Sequence, residues 1–292
     1  MSCCAFTASV QASATLDPLA SSWNTRAIAN GGTPSDATIA ALTAFCAGIR
    51  AQTYFTKLKS VNFLAPDDYR CAMTPLIVHA TDGGLWQAQI GNFPNGGNAF
   101  VTAGNAALGS AGIRSDYPYA ASPGTNAYNP AAIFTARDNW GVTIYTTTND
   151  GLHGPNGVSW GVDDTVNANW GTNNTSGFTY LSADDTATQF SSAFSFYGYY
   201  SFNMSAASTR TVYAGNSAHA HGVFMSSGAA FGGNLSARQF PWAGYNANLA
   251  NTGGTSNWHS FFAAHDFLTA GESLDFFTRI QALRVSLGTG YV

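Results

Sequence analysis

A single glutamate, Glu272, and two lysines, Lys57 and Lys59, are all that this chain of 292 residues carries of those two types. Neither type occurs between Asp82 and Asp266. Charged residues make up 9% of the chain, where a globular protein carries about a quarter. The surface is therefore built from Asn, Ser, Thr, Gly and tyrosine hydroxyls. Such a surface suits β-rich proteins that act outside cells or in particles.

Other scarcities narrow the reading further. No basic run exists that could neutralise a series of phosphates, which disfavours nucleic-acid binding. No apolar stretch approaches the roughly 18 residues of a membrane helix, so membrane insertion is not expected. Met1–Phe6 has neither the basic region nor the apolar region of a secretory signal, so any route out of a cell is expected to use no signal of that kind. The four cysteines, Cys3, Cys4, Cys46 and Cys71, all fall in the first quarter. A disulfide-built fold would spread them more widely. Cys46 and Cys71 read first as structural thiols, second as a bridge, and last as metal ligands.

Helical signals stand at both ends. Thr33-Pro34-Ser35-Asp36 is a helix start, with a capping hydroxyl, an early proline and an acid near the N-terminus. Ile39, Leu42, Phe45, Cys46 and Ile49 follow at helical spacing. Tyr54–Leu58 reads as a second short helical piece, and Ala65–Asp68 as the end of the helical region. Asp17-Pro18 and Asn30–Gly32 read as turns. Near the C-terminus, Thr269 and Glu272 form a capping box. Leu274, Phe277, Ile280 and Leu283 follow at helical spacing, and Gly288 stops the helix.

Between these ends, short apolar runs alternate with Gly, Asn, Ser and Pro clusters, as in a sandwich or barrel. The candidate strands are Leu76–His79, Ala99–Thr102, Ala132–Thr135, Val142–Thr147, Phe178–Leu181, Phe194–Phe202, Thr209–Tyr213 and Val223–Met225. No strict repeat period is present, which argues against a propeller or solenoid.

The stretches Trp23–Thr33, Ala40–Arg50 and Phe55–Leu64 resemble the helical lead-in of certain tailed-phage structural proteins. Arg210–Asn216, Phe231, Ala237–Phe240, Ala243-Gly244 and the closing Phe276–Gly288 are similar to the C-terminal part of that group. The resemblance implies a concanavalin A-like or laminin-G-like jelly roll between the ends. The chain departs from the group in a longer, irregular segment from about 236 to 268, which includes Asn251–Ser256 and Trp258-His259.

Glycosidases of concanavalin-type folds use two carboxylates about 5 Å apart, carried at alternating positions of one strand. Here the acids come as adjacent pairs, Asp163-Asp164 and Asp184-Asp185, which suit turns better. Asp163 and Asp164 are also candidate calcium ligands, with Asn167 and Asn169 nearby. Calcium is the one cofactor considered. His219 and His221 form half a zinc site at most. His259 and His265 need a nucleophile before they can act as bases, and no G-x-S-x-G is present. The best ligand-binding candidates are Trp160, Trp170 and Tyr180, whose rings could stack on sugars, with Asn167 and Asn169 supplying hydrogen bonds. Trp160 and Trp170 are read as lying in Gly/Asn-rich loops.

The expectation is thus a mainly β protein. Residues 1-71 form an N-terminal arm and helical lead-in, and residues 72-292 a jelly-roll β-sandwich closed by a C-terminal helix at about 270-287. The function expected from the resemblance is a non-enzymatic virion structural protein, as capsid decoration, fibre or tail component. Its partners would be other virion proteins, a homo-oligomer of its own copies, and a host-surface glycan. The alternatives are a carbohydrate-binding receptor-binding protein and, behind it, a glycan depolymerase.

Overall fold

The structure is a computed structural model. It describes residues 16–63, 67–78, 106–109, 112–115, 127–129, 139–148, 158–162, 168–173, 178–183, 198–206, 209–216, 219–227, 240–242 and 258–288.

The first element is a helix, α1 (Pro18–Ala29), in which Asp17 is the N-cap and accepts from the Leu19 amide at 2.9 Å. Asp17-Pro18 is therefore a helix start, not a turn. Both readings use the same residue types, since a short acid bonds nearby amides in a turn and at a cap alike. Ala20, Trp23 and Ala27 line its buried face, and the Trp23 indole donates to Thr74 O at 2.9 Å. Helix α2 (Asp36–Arg50) starts within the expected Thr33–Asp36 segment, but Ser35 is the N-cap, its hydroxyl accepting from Thr38 N, so Pro34 precedes the cap instead of standing in the first turn. A 3-10 turn, Thr53–Lys57, follows.

The chain then departs from the expected lead-in. Leu58–Asn62 is strand β1, joined to the main sheet through Ala263 and Phe262. A short helix, α3 (Tyr69–Met73), is capped by Asp68. Cys46 and Cys71 are free and buried, and burial pushes both thiols up to about 12. They are inert packing residues, without the bridge considered above.

Two antiparallel sheets carry the rest. Their strands are β2 (Ala106–Gly109), β3 (Gly112–Ser115), β4 (Ala127–Asn129), β5 (Trp140–Thr148), β6 (Val158–Val162), β7 (Ala168–Asn173), β8 (Phe178–Ala183), β9 (Gly198–Ala206), β10 (Thr209–Gly215), β11 (Gly222–Ser227), β12 (Phe240–Trp242) and β13 (Trp258–His265). The larger sheet runs β11-β10-β9-β5-β13-β3-β2, with β1 also on β13; the smaller runs β4-β12-β6-β7-β8. The segment expected to be irregular thus supplies β13, an inner strand of the larger sheet that pairs with β5, β3 and β1. Val142–Thr147, Phe178–Leu181, Thr209–Tyr213 and Val223–Met225 fall on strands as expected, and β9 covers the end of Phe194–Phe202. Ala99–Thr102 and Ala132–Thr135 lie outside the described residues.

Helix α4 (Ala270–Ser286) closes the described chain, and both bonds of the Thr269–Glu272 capping box are made. It packs with α2 on one face of the larger sheet. Phe45, Ile49, Phe276, Ile280 and Leu283 share a core there with Tyr145, Tyr199, Tyr213 and Phe261. The opposite face of the same strands carries Val142, Ile144, Tyr200, Phe202, Val212, Phe262 and Ala264 by alternation. These are also buried, and none belongs to the helix-side core. Among the described residues, no helix is long and apolar enough to cross a membrane.

Candidate functional site

The register of the smaller sheet sorts the ligand-binding candidates. Trp160 on β6 is paired directly with Trp170 on β7, and on its other side with Trp242 on β12. Directly paired residues share a face, so three tryptophans form one row. Leu181 continues that row on β8. Alternation adds Val162, Ala168, Ala183 and Phe240 to the same side. Thr172, Thr179, Ala127 and Asn129 stand on it as well, so this face is mainly apolar. Trp160 and Trp170 are thus strand residues of that face, and their assignment to loops is corrected.

The other face has the opposite character. Asn169 stands between Gly161 and Ser182 in one row, and Tyr180 stands beside Gly171 in the next. Asn173 and Phe178 are paired beyond them. Two of the candidates, Asn169 and Tyr180, therefore share one face, and Trp160 and Trp170 share the other. Asp163, Asp164, Asn167, Asp184 and Asp185 lie outside the described residues. Gly161 and Gly171 were not singled out from the sequence. Their opposition to Asn169 and Tyr180 is a matter of register, which only the pairing reveals.

The described carboxylates are mostly engaged in holding the fold. Glu272 accepts from Thr269 N at 2.8 Å and pairs with Lys57 at 2.7 Å. Those bonds hold its carboxyl below the usual range, against the pull of burial. Asp275 takes Arg279 and the Tyr54 hydroxyl. Asp17 pairs with Arg50, Asp266 with Lys59, and Asp68 caps α3. A carboxylate tied into such bonds is a poor general acid.

The histidines are built into the helix–sheet junction. His265 is fully buried, with Nε2 2.9 Å from the Thr143 hydroxyl and Nδ1 2.8 Å from Asp266 O. A carbonyl only accepts, so Nδ1 carries the proton. Burial pushes its pKa down to about 4, and the Lys57 charge adds to this. The ring crosses β5 at Gly141, where an added Cβ would meet it and would lie 2.6 Å from Phe202 O. His221 stacks on Tyr213 and Phe277, with Nε2 3.0 Å from Ser273 Oγ. Tyr199 OH lies 2.9 Å from the same oxygen. Ser273 is fully buried, so this serine–histidine contact joins α4 to the sheet and presents no nucleophile to solvent. His219 is exposed at the β10–β11 turn. No group of three metal-ligating residues occurs among the described residues.

No family model matches the chain, and no curated protein matches it. Two solved structures of GH54 α-L-arabinofuranosidase are similar. One is a point mutant soaked with 4-nitrophenyl α-L-arabinofuranoside, the other the enzyme soaked with a cyclic sulfate inhibitor. Each has a TM-score of 0.41 and 13% identity, over 59% of this chain and 40% of the other. The chain spans less than half the length of these proteins. At this distance neither their reaction nor their substrate carries over. The expectation of a non-enzymatic virion structural protein is corrected at this point: the two structures named here are glycoside hydrolases, and neither is a virion protein.

Proposed function

We propose that this chain is a carbohydrate-binding β protein whose contact surface is the polar face of the smaller sheet, centred on Asn169, Gly171, Tyr180 and Ser182. The observation that carries the reading is the register that sets Tyr180 beside Gly171 and Asn169 between Gly161 and Ser182. A sugar ring has an apolar face and an equatorial rim of hydroxyls. A tyrosine beside a glycine offers a ring with open backbone next to it, on which such a face can lie. Asn and Ser side chains both donate and accept, as a hydroxyl rim requires.

The finer fold that accompanies this reading is a concanavalin-type jelly-roll sandwich. The larger sheet has a buried apolar face that lies outside the helix-side core, and the smaller sheet has a mainly apolar face with the Trp242–Trp160–Trp170 row. Stacking these faces at the roughly 10 Å spacing of packed sheets removes both from water. It leaves the Asn169–Tyr180 face turned outward.

The test is a glycan-binding array with native protein and two variants. Tyr180→Ala is expected to lose binding at least tenfold with an unchanged circular dichroism spectrum. Trp170→Ala is expected to lose stability instead. Full binding by Tyr180→Ala would overturn the reading. Reducing ends released from a bound glycan would assign cleavage as well, and the aspartates at 163, 164, 184 and 185 would be its first candidates.

A further inference from the structure

We infer that the glycan is neutral: the polar face selects uncharged sugars and rejects uronate and sulfate esters. This rests on the carbohydrate reading above and gives it a substrate class.

The first observation is the composition of the smaller sheet. Its strands read AYN, VSWGV, ANWGTN, FTYLSA and FPW, without one Asp, Glu, Lys or Arg. The second observation extends beyond the strands. From 138 to 209 the chain contains no Lys or Arg, yet it contains Asp138, Asp150, Asp163, Asp164, Asp184 and Asp185. Three of the five strands, β6, β7 and β8, fall within that stretch. The third observation concerns four of the described cations. Arg50, Lys57, Lys59 and Arg279 are each paired with an acid on the helix side of the larger sheet or beside it.

A carboxylate or sulfate on a sugar loses hydration when it is bound. Proteins offset that cost with Arg or Lys, best in a bidentate pair. No residue of these five strands can supply either. An anion brought there would meet strands that carry amides and hydroxyls but no cation, and an unpaired buried charge is strongly unfavourable. A neutral sugar pays none of this, since Asn169, Asn173 and Ser182 have the chemistry to exchange hydrogen bonds with hydroxyls. Binding without ion pairs also has nothing for salt to screen.

The experiment is titration calorimetry of the whole chain with three sets of oligosaccharides: neutral hexose and pentose, uronate-containing, and sulfated. Each is run at low and high sodium chloride. Neutral oligosaccharides are expected to bind with Kd changing by less than about twofold between the two salt conditions. Uronate-containing and sulfated ones are expected to bind at least tenfold more weakly or not at all. Tighter binding of either anionic set, or a tenfold loss of neutral binding at high salt, would overturn the inference and leave the carbohydrate reading standing. Absence of binding by all three sets would overturn the carbohydrate reading itself, and the inference with it. Neutral binding that survives intact in Tyr180→Ala would overturn the placement on this face.

Discussion

The two sheets solve the problem of a polar surface in different ways. The larger sheet is backed by α2 and α4, and the described ion pairs gather there. Lys57–Glu272 ties the 3-10 turn to the first turn of α4, and Lys59–Asp266 ties β1 to the strand that leads into α4. Lys57, Lys59, Asp266 and Glu272 each have a fixed structural partner. The smaller sheet has no charge in its strands at all and divides instead into a mainly apolar face and a face richer in amides and hydroxyls. Among the described residues, ion pairs fasten helices. In the function proposed above, neutral polar groups make the contact with the ligand. The scarcity of glutamate and lysine is thus concentrated: the few that exist are spent at the helix–sheet junction.

The sharpest way to break this comparison is to remove a large side chain from the fastened region. Trp23 is fully buried, edge-on to Phe63 at 5.1 Å between ring centroids, and its indole donates to Thr74 O. Trp23→Ala leaves a cavity and an unmet carbonyl. It is expected to cost about 3–5 kcal/mol in urea denaturation. Tyr180→Ala on the contact face is expected to cost under about 1 kcal/mol and to act on binding. If the two cost the same, the division into a fastening region and a contact region is wrong.

A smaller effect comes from pH. His265 titrates at about 4 in the folded chain, against roughly 6.5 when unfolded. The folded state therefore prefers the neutral ring. That preference stabilises fully above about pH 6.5 and is lost as pH falls toward 4. The difference is worth about 3 kcal/mol. His221 is shifted in the same direction by burial and adds to the slope. Both rings bond next to the first turn of α4, whose exposed amides already carry partial positive charge. Urea midpoints are expected to fall between pH 6.5 and 4.5, and the fall to flatten in His265→Gln. An equal slope in that variant would place the titration elsewhere.

Sequence legibility followed how local each signal is. The helix start within Thr33–Asp36 and the cap at Thr269 could be read because every bonding partner lies within four residues. Strands β5, β8, β10 and β11 could be read from their β-branched and aromatic runs. Strand β13 was hidden because WHSFFAAH sits among Gly and Asn residues. Its inner place depends on pairing with β5, more than a hundred residues away. Strand β1 was hidden by a helical pattern that runs on from α2. How the candidate residues divide between the faces was not legible, for the same reason. Residue types marked Trp160, Trp170, Tyr180 and Asn169, yet only the register shows that the tryptophans lie on one face and the tyrosine and asparagine on the other.

The smallest expected effect tests the one position of α4 where spacing misled. Helical spacing groups Leu274 with Phe277, Ile280 and Leu283. In the fold, Leu274 is 48% exposed, while Phe277 is 8% exposed and stacks with His221. The buried face is instead led by Ser273 and Phe276, because Ser273 must reach Tyr199 and His221 for α4 to seat on the sheet. A buried serine replaces a leucine at the start of the apolar stripe, which no periodicity rule anticipates. Leu274→Ser is therefore expected to change stability by less than about 0.5 kcal/mol. Phe277→Ala is expected to cost about 3 kcal/mol or more. A large loss from Leu274→Ser would mean that this side of α4 is covered, and the helix would then belong to the contact region as well as to the fastening one.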